Sequence, residues 1–413
     1  MNNSIIDNIK NDFSSSLVVF LVALPLCMGI ALASGVDPIS GLLAGIIGGL
    51  IIGPLAGAPL QVSGPAAGLV TIVYGIVVKD GLAGLALATL IGGLIQVVAG
   101  ALKQGEVFKR IPYAVISGML MGIGTLIMFG QLHVLFDQKG ASSFVGNVTK
   151  IPTTLSEIAA QPQTVILPLL GFVILFGWDK FAKKKNIKVP AQLIAVIGIS
   201  VVAALLPFQM KMVEVADNVF SKIGDGLLLN TFPGFSMTAV LNGIVLGLVA
   251  SAESMLSAGA VKNLKADADV DYSKELLAQG AGNMMAGFLG ALPITGVIVR
   301  TTANIESGAE TRWSAIMHGL WLLLFVALGS SLLAFIPLSV LAVILVVIGY
   351  KLMKPKQIFS AVVNMNYDNF MMLATWAGII FIDLLKGVGI GIGLAILGVF
   401  INKKNASSQV ETE

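Results

Sequence analysis

The chain has 413 residues, of which 56% are hydrophobic and only 11% charged, with a net charge of +3. A water-soluble chain carries about 25% charged residues, so there is too little polar surface to coat a soluble particle, and we read an all-α integral membrane protein. The modest positive charge is a topology signal rather than a nucleic-acid footprint. One cysteine, Cys27, excludes an intramolecular disulfide, and with two histidines a Cys/His metal site is not expected.

Taken in chain order, fourteen spans are predicted: 14–33, 41–57, 62–78, 82–102, 111–132, 164–182, 189–207, 238–258, 273–291, 297–307, 311–334, 337–351, 370–385 and 387–402. The criterion is about 20 apolar residues per crossing. The apolar run after Lys10 lacks a small-residue cleavage site and reads as a span, not a removed signal. Residues 133–163 and 208–237 read as polar outside loops, and 403–413 as a short cytoplasmic tail. With the N-terminus inside, 18 lysines and arginines fall inside and 6 outside, leaving Arg300 as the last of 25. That bias predicts cytoplasmic N- and C-termini in the cell inner membrane.

Two segments resemble each other at an offset of 225 residues. Ile111-Pro-Tyr-Ala-Val-Ile-Ser-Gly-Met-Leu-Met-Gly-Ile-Gly124 matches Ile336-Pro-Leu-Ser-Val-Leu-Ala-Val-Ile-Leu-Val-Val-Ile-Gly349 at Ile, Pro, Val, Leu, Ile and Gly. The third and tenth spans pair likewise, Val62–Ala67 with Ile294–Val299. Repeats 1–207 and 238–402 would each hold seven spans, an odd number, so the second copy would insert upside down. That is the plan of many secondary transporters.

The tenth span is short: 297–307 makes about 16 Å of helix, roughly half of a ~30 Å hydrocarbon core. Gly290–Gly296 before it is poor in helix formers, as is Gly53–Pro65 before the third span. Each reads as an extended segment leading into a half-helix. Pro65 suits a first-turn position, with Ser63 and Thr295 as the two caps. Facing half-helix starts present free N–H groups and positive dipole ends, which bind anions. Arg300 adds a charged, forked donor suited to oxyanions. Its alternative role is a helix-locking ion pair with Glu253 or Glu306. Glu253 is the second buried charge; it can take up a proton or, with Ser257 four residues on, ligate Na⁺ through oxygen. Its alternative is a structural salt bridge with Arg300. His133 and His318 read as structural, Asp383 with Lys386 as a loop pair, and the many glycines as close helix contacts.

These residues resemble the SulP family of inorganic anion transporters. The resemblance rests on Ala23–Leu42, Val62-Ser-Gly-Pro65, Glu253-Ser-Met-Leu-Ser257, Ala278-Gln-Gly-Ala-Gly-Asn283, Leu292–Thr301 and Ser307–Arg312. It implies a uracil-permease-like 7+7 inverted repeat, with a core domain (14–102 plus 238–334) and a gate domain (111–207 plus 337–402). It places the substrate at Ala66, Ala67, Val299 and Arg300, and a coupling cation at Glu253 and Ser257. In members that carry bicarbonate with Na⁺ those two positions hold Asp and Thr, so Na⁺ and H⁺ both stay open here. Family members usually end in a cytoplasmic STAS domain; the chain stops at Glu413, as a natural short form or a truncated one.

The expected function is secondary active transport of a small inorganic oxyanion, bicarbonate or sulfate, by an elevator mechanism coupled to Na⁺ or H⁺. An uncoupled anion channel or an exchanger is the alternative. A nucleobase permease would need side chains that read a base edge, and Ala66, Ala67 and Val299 do not. No enzyme is expected, since no nucleophile–base set is visible, and no cofactor beyond the coupling ion. The partners are the anion and the bilayer, with a homodimer left open and no nucleic acid.

Overall fold

A computed structural model describes residues 5–141, 143–185, 189–205, 210–214, 234 and 236–410. The helices are α1 (Ile5–Ala33), α2 (Pro38–Leu55), α3 (Ala67–Ala101), α4 (Tyr113–Val134), α5 (Phe144–Ala160), α6 (Ile166–Lys185), α7 (Ala191–Leu205) and α8 (Met237–Leu264). They continue as α9 (Tyr272–Phe288), α10 (Ile298–Glu306), α11 (Trp313–Gly329), α12 (Leu338–Met353), α13 (Pro355–Val363), α14 (Tyr367–Phe381) and α15 (Leu384–Val410). Two short strands, β1 (Ser63–Pro65) and β2 (Ile294–Gly296), form an antiparallel pair. Among the described residues, six helices are long and apolar enough to cross a membrane alone. The others are shorter or bent and complete the bundle.

The long helix α3 is two legs, matching the predicted third and fourth spans. Gly68 lies against Glu253 of α8, Asp80 accepts from Asn242 Nδ2 at 3.0 Å, and Gln96 donates to Ser251 Oγ at 3.2 Å. The chain therefore runs along α8 and comes back, reversing at Gly81, whose φ of 71° and ψ of −175° only glycine adopts cheaply. Gly81→Ala is expected to cost about 1–3 kcal/mol, read as a lower melting temperature in detergent. With α3 counted twice and the connecting helices α5 and α13 set aside, fourteen segments remain and form a 7+7 repeat.

The repeat is visible at atomic detail. Pro112 and Pro337 hold matching extended geometry before α4 and α12, with φ/ψ of −61°/142° and −67°/142°. Gly124 and Gly349, counterparts at the 225 offset, touch each other where α4 crosses α12: a Cβ on either would lie 2.5 Å or 2.7 Å from the other's carbonyl oxygen. In the strand pair Ser63 faces Gly296 and Gly64 faces Thr295. Each residue thus pairs with its neighbour's counterpart, as a local two-fold axis demands.

Helices α1, α2, α3, α8, α9, α10 and α11 pack mainly on one another, and α4, α12, α14 and α15 form a second group with α6 and α7 against α12. The groups meet chiefly where α1 lies on α12 and α7. In the first group, backbone meets backbone at Gly92 with Gly247 and at Gly93 with Gly280, the close approach small residues permit in lipid.

Two expectations change, and a third lies mostly outside the described residues. Residues 133–163 are not simply a loop: Phe144–Ala160 forms α5, an amphipathic helix that meets the next helical stretch at 111°. Its polar face hid it from a search for apolar runs. Residues 403–410 continue the last helix rather than forming a separate tail. Most of 208–237 lies outside the described residues; Met212 there bridges to Pro337.

Candidate functional site

The β1–β2 pair builds the site. Both strands are too short to stand alone, and side chains from neighbouring helices complete their hydrogen bonding. Asn283 of α9 brackets Ile294, accepting from its N–H at 2.7 Å and donating to its carbonyl at 2.8 Å. Ser254 Oγ accepts from Gly296 N at 3.0 Å. Across the pair, Val297 N donates to the Val62 carbonyl at 2.9 Å, and Val62 N to Thr301 Oγ1 at 3.1 Å. Buried backbone in lipid must be satisfied internally, and these side chains do it.

Behind β1 lies a carboxylate that sequence reasoning passed over. Glu275 is fully buried. It accepts from Ala58 N at 2.9 Å, Gln61 Nε2 at 3.0 Å and Gln279 Nε2 at 2.8 Å. Gln279 also donates to Ser63 Oγ at 2.7 Å. In the sequence Glu275 follows Lys274 near a predicted span start and looks solvated. The signal that could have found it is the four-residue spacing to Gln279 on one helix face.

A small cavity of about 40 Å³ sits where the two helix groups meet, enough for a few waters at roughly 10–15 Å³ each. On one side are Leu26 and Ile30 of α1, Ala67, Glu253 and Gly296 through Val299; on the other, Leu120 and Ile123 of α4 with Leu345, Ile348 and Leu352 of α12. Every polar feature thus belongs to the first group, and the second offers an apolar wall. Val297, the N-cap of α10, makes no side-chain capping bond, so the first turn of that half-helix faces the cavity with its positive end uncapped. A larger vestibule of about 350 Å³ shares Ala67 and Leu345 with the cavity and reaches Tyr74, Gln131, Lys139 and Asn147. In an adjoining pocket that shares Gln131 and Lys139 with it, Asp137 is partly buried, which pushes its carboxyl up against the opposing pull of Lys211.

Of the eight sequence-predicted residues, the cavity gathers Ala67, Val299 and Glu253. The Glu253 carboxylate meets the backbone N–H of Gly68 and the Thr295 hydroxyl. It therefore occupies the start of the α3 half-helix. Ser257 is buried one turn on, with a hydroxyl that has no partner among the described residues. Ala66 is buried beside Ala67 but does not line the cavity. Ser63 and Thr295 are not caps. Both lie in strands: the Ser63 hydroxyl accepts from Gln279, and the Thr295 hydroxyl donates to the Gly296 carbonyl at 3.4 Å and lies beside Glu253. Pro65 likewise belongs to β1, ahead of the first turn at Ala67–Leu69.

Arg300 is fully buried and lies behind the cavity, not in it. Its Nη2 donates to Cys27 Sγ at 3.4 Å, and its Nη1 rests on Gly64, where a Cβ would come within 2.0 Å. Among the described residues Nε and Nη1 have no hydrogen-bond partner. Among the described residues Arg300 forms no ion pair, so the alternative of a lock with Glu253 or Glu306 finds no support. His133 and His318 are buried and bonded within the scaffold: His133 to Thr154 and Asn147, His318 to the Ala315 carbonyl. Lys386 pairs with Asp383 at 2.9 Å.

Inverted repeats, two broken helices whose starts meet and a cavity between two helix groups are the plan of a multi-pass membrane transporter. The chain belongs to the sulfate permease family, whose profile matches residues 9–375. YvdB of Bacillus subtilis, whose designation as a sulfate transporter is provisional, is 31% identical over 98% of this chain and 76% of its own length. The bicarbonate transporter BicA of Picosynechococcus sp. is 27% identical over 97% of this chain and 72% of its own. Among solved structures, the transmembrane domain of a cyanobacterium bicarbonate transporter BicA superposes with a TM-score of 0.80, covering 95% of this chain and 99% of that one at 24% identity. SLC26A9 gives 0.78 at 18% identity, covering 97% and 66%. At these identities the two structures speak to the fold alone.

Proposed function

We propose that the chain is a secondary active transporter of a small inorganic oxyanion, bicarbonate or sulfate, driven by Na⁺ or H⁺. The observation that carries this reading is the cavity framed by two symmetry-related half-helix starts, with a guanidinium behind it that forms no ion pair among the described residues. Named relatives that carry sulfate or bicarbonate support the substrate class.

The coupling follows from charge. Glu253 already occupies one of the two anion-binding helix ends. Two negative charges about 5 Å apart at an effective dielectric of about 20 repel by about 3 kcal/mol, or roughly 200-fold in affinity. An anion enters readily only once a proton or Na⁺ has neutralised Glu253, and the orphaned Ser257 hydroxyl one turn away supplies a further oxygen. Anion and cation then bind together and move together.

The uneven cavity suits an elevator. The first helix group is the core and carries the site; the second is the gate and presents a leucine and isoleucine wall that holds nothing. Sliding the core along that wall breaks no polar contact, so the barrier stays low while the anion is shielded. The lysine and arginine bias supports cytoplasmic N- and C-termini, and on that reading the vestibule opens to the outer face.

The test is uptake into proteoliposomes of labelled bicarbonate, sulfate and succinate, with Na⁺ and pH gradients imposed separately. Accumulation of one inorganic oxyanion above equilibrium, under one of the gradients, is expected. Large chloride currents that ignore both gradients would replace this reading with a channel.

A further inference from the structure

We infer that Cys27 is a positioning residue for transport: its thiol parks the Arg300 guanidinium behind the cavity, and anion binding draws the guanidinium off the sulfur. This rests on the reading of Arg300 as the anion's charged partner. The observations behind it are geometric. Arg300 is buried with a full charge, yet among the described residues its one side-chain acceptor is a sulfur at 3.4 Å, and Nε and Nη1 have none. Sulfur is a weak acceptor, and a buried charge normally sits beside a strong one. The arrangement is therefore a poor resting place for a guanidinium and an easy one to leave.

The route out is short. Arg300 follows Val299, which lines the cavity, and Cys27 follows Leu26, which lines it from α1. A side-chain rotation about Arg300 carries the fork round the wall that Leu26 and Val299 form. There the two orphaned donors meet an oxyanion in the bidentate manner a guanidinium favours. The thiol is closely seated: a Cβ at Gly45 would lie 2.8 Å from Cys27 Sγ, so the bare glycine leaves room for the sulfur. A carboxylate or hydroxyl at position 27 would grip Arg300 harder and compete with the substrate.

The test is a graded series, Cys27→Ala, Cys27→Ser and Cys27→Asp, assayed for KM and maximal rate with the oxyanion that the uptake panel identifies. The KM is expected to follow acceptor strength: about 3–10-fold lower in Cys27→Ala, several-fold higher in Cys27→Ser, and transport lost in Cys27→Asp. A packing role predicts another order, with serine, the near-isostere, mildest and alanine no tighter than wild type; that order overturns the inference. Because Cys27 is the chain's single cysteine, its S–H stretching band reports one site without any mutation. The band is expected to shift when the same oxyanion saturates the unmodified protein, and a static band overturns the inference even if Cys27→Asp fails to fold. Undiminished uptake in Arg300→Ala would instead sink the functional reading beneath it.

Discussion

Arg300→Ala is expected to lower oxyanion uptake at sub-saturating substrate by about 30–100-fold while leaving the protein folded. The magnitude comes from Coulomb's law: a unit charge roughly 6–8 Å from the anion at an effective dielectric of about 20 contributes about 2–3 kcal/mol. Direct hydrogen bonds from Nε and Nη1 would add to that. Stability should move the other way. A fully buried guanidinium with no carboxylate partner is a cost to the fold, and an apolar residue of similar volume often relieves such a cost. Arg300→Met is therefore expected to melt higher than wild type in detergent and to be equally inactive. Uptake close to wild type would remove Arg300 from the anion site. Loss of both uptake and stability would mean that the guanidinium holds helices together instead.

Glu253→Gln is expected to uncouple the protein. Glutamine keeps a carbonyl for the Gly68 N–H and the Thr295 hydroxyl, so the start of the α3 half-helix stays satisfied. It removes the charge that makes anion entry conditional on a cation. Binding and anion–anion exchange should persist, whereas accumulation driven by a Na⁺ or pH gradient should fall at least about 10-fold, since neutralisation removes most of a ~3 kcal/mol conditional penalty. An unchanged response to both gradients would take Glu253 out of the mechanism. Counterflow and gradient-driven uptake on one preparation separate the two outcomes.

The sequence made some of this plain. Pro65 and Pro293, with their flanking glycines, mark breaks because proline and glycine defeat a helix locally. The repeat showed because Pro112 and Pro337 must both precede a helix in the same backbone geometry. What hid was direction. Ser63 and Thr295 look like caps beside a helix start, but the chain stays extended as far as Ala66 and Val297, the true N-caps, which leaves both as strand residues. The burial of Glu275 depends on β1 lying beside it, which no local pattern reports. Arg300 was legible as a costly charge; that its fork points to Cys27 instead of the cavity depends on which face of α10 meets α1. Helix α5 was missed because alternating polar residues look like a loop when only apolar runs are sought.

The β1–β2 pair also bears on how the molecule is made. Residues 63–65 are synthesised early, and their partners 294–296 come more than half a chain later. Until then the first extended segment has no strand opposite it, and its backbone cannot rest unpaired in lipid. The early spans must therefore wait at the membrane in a provisional arrangement, with that segment hydrated or held by the insertion machinery. Neither half builds a finished site alone. An N-terminal fragment ending before Ile294 should stay protease-sensitive around Gly53–Pro65, and co-expressing the missing half should restore protection. The order of biogenesis is thereby written into one three-residue ladder.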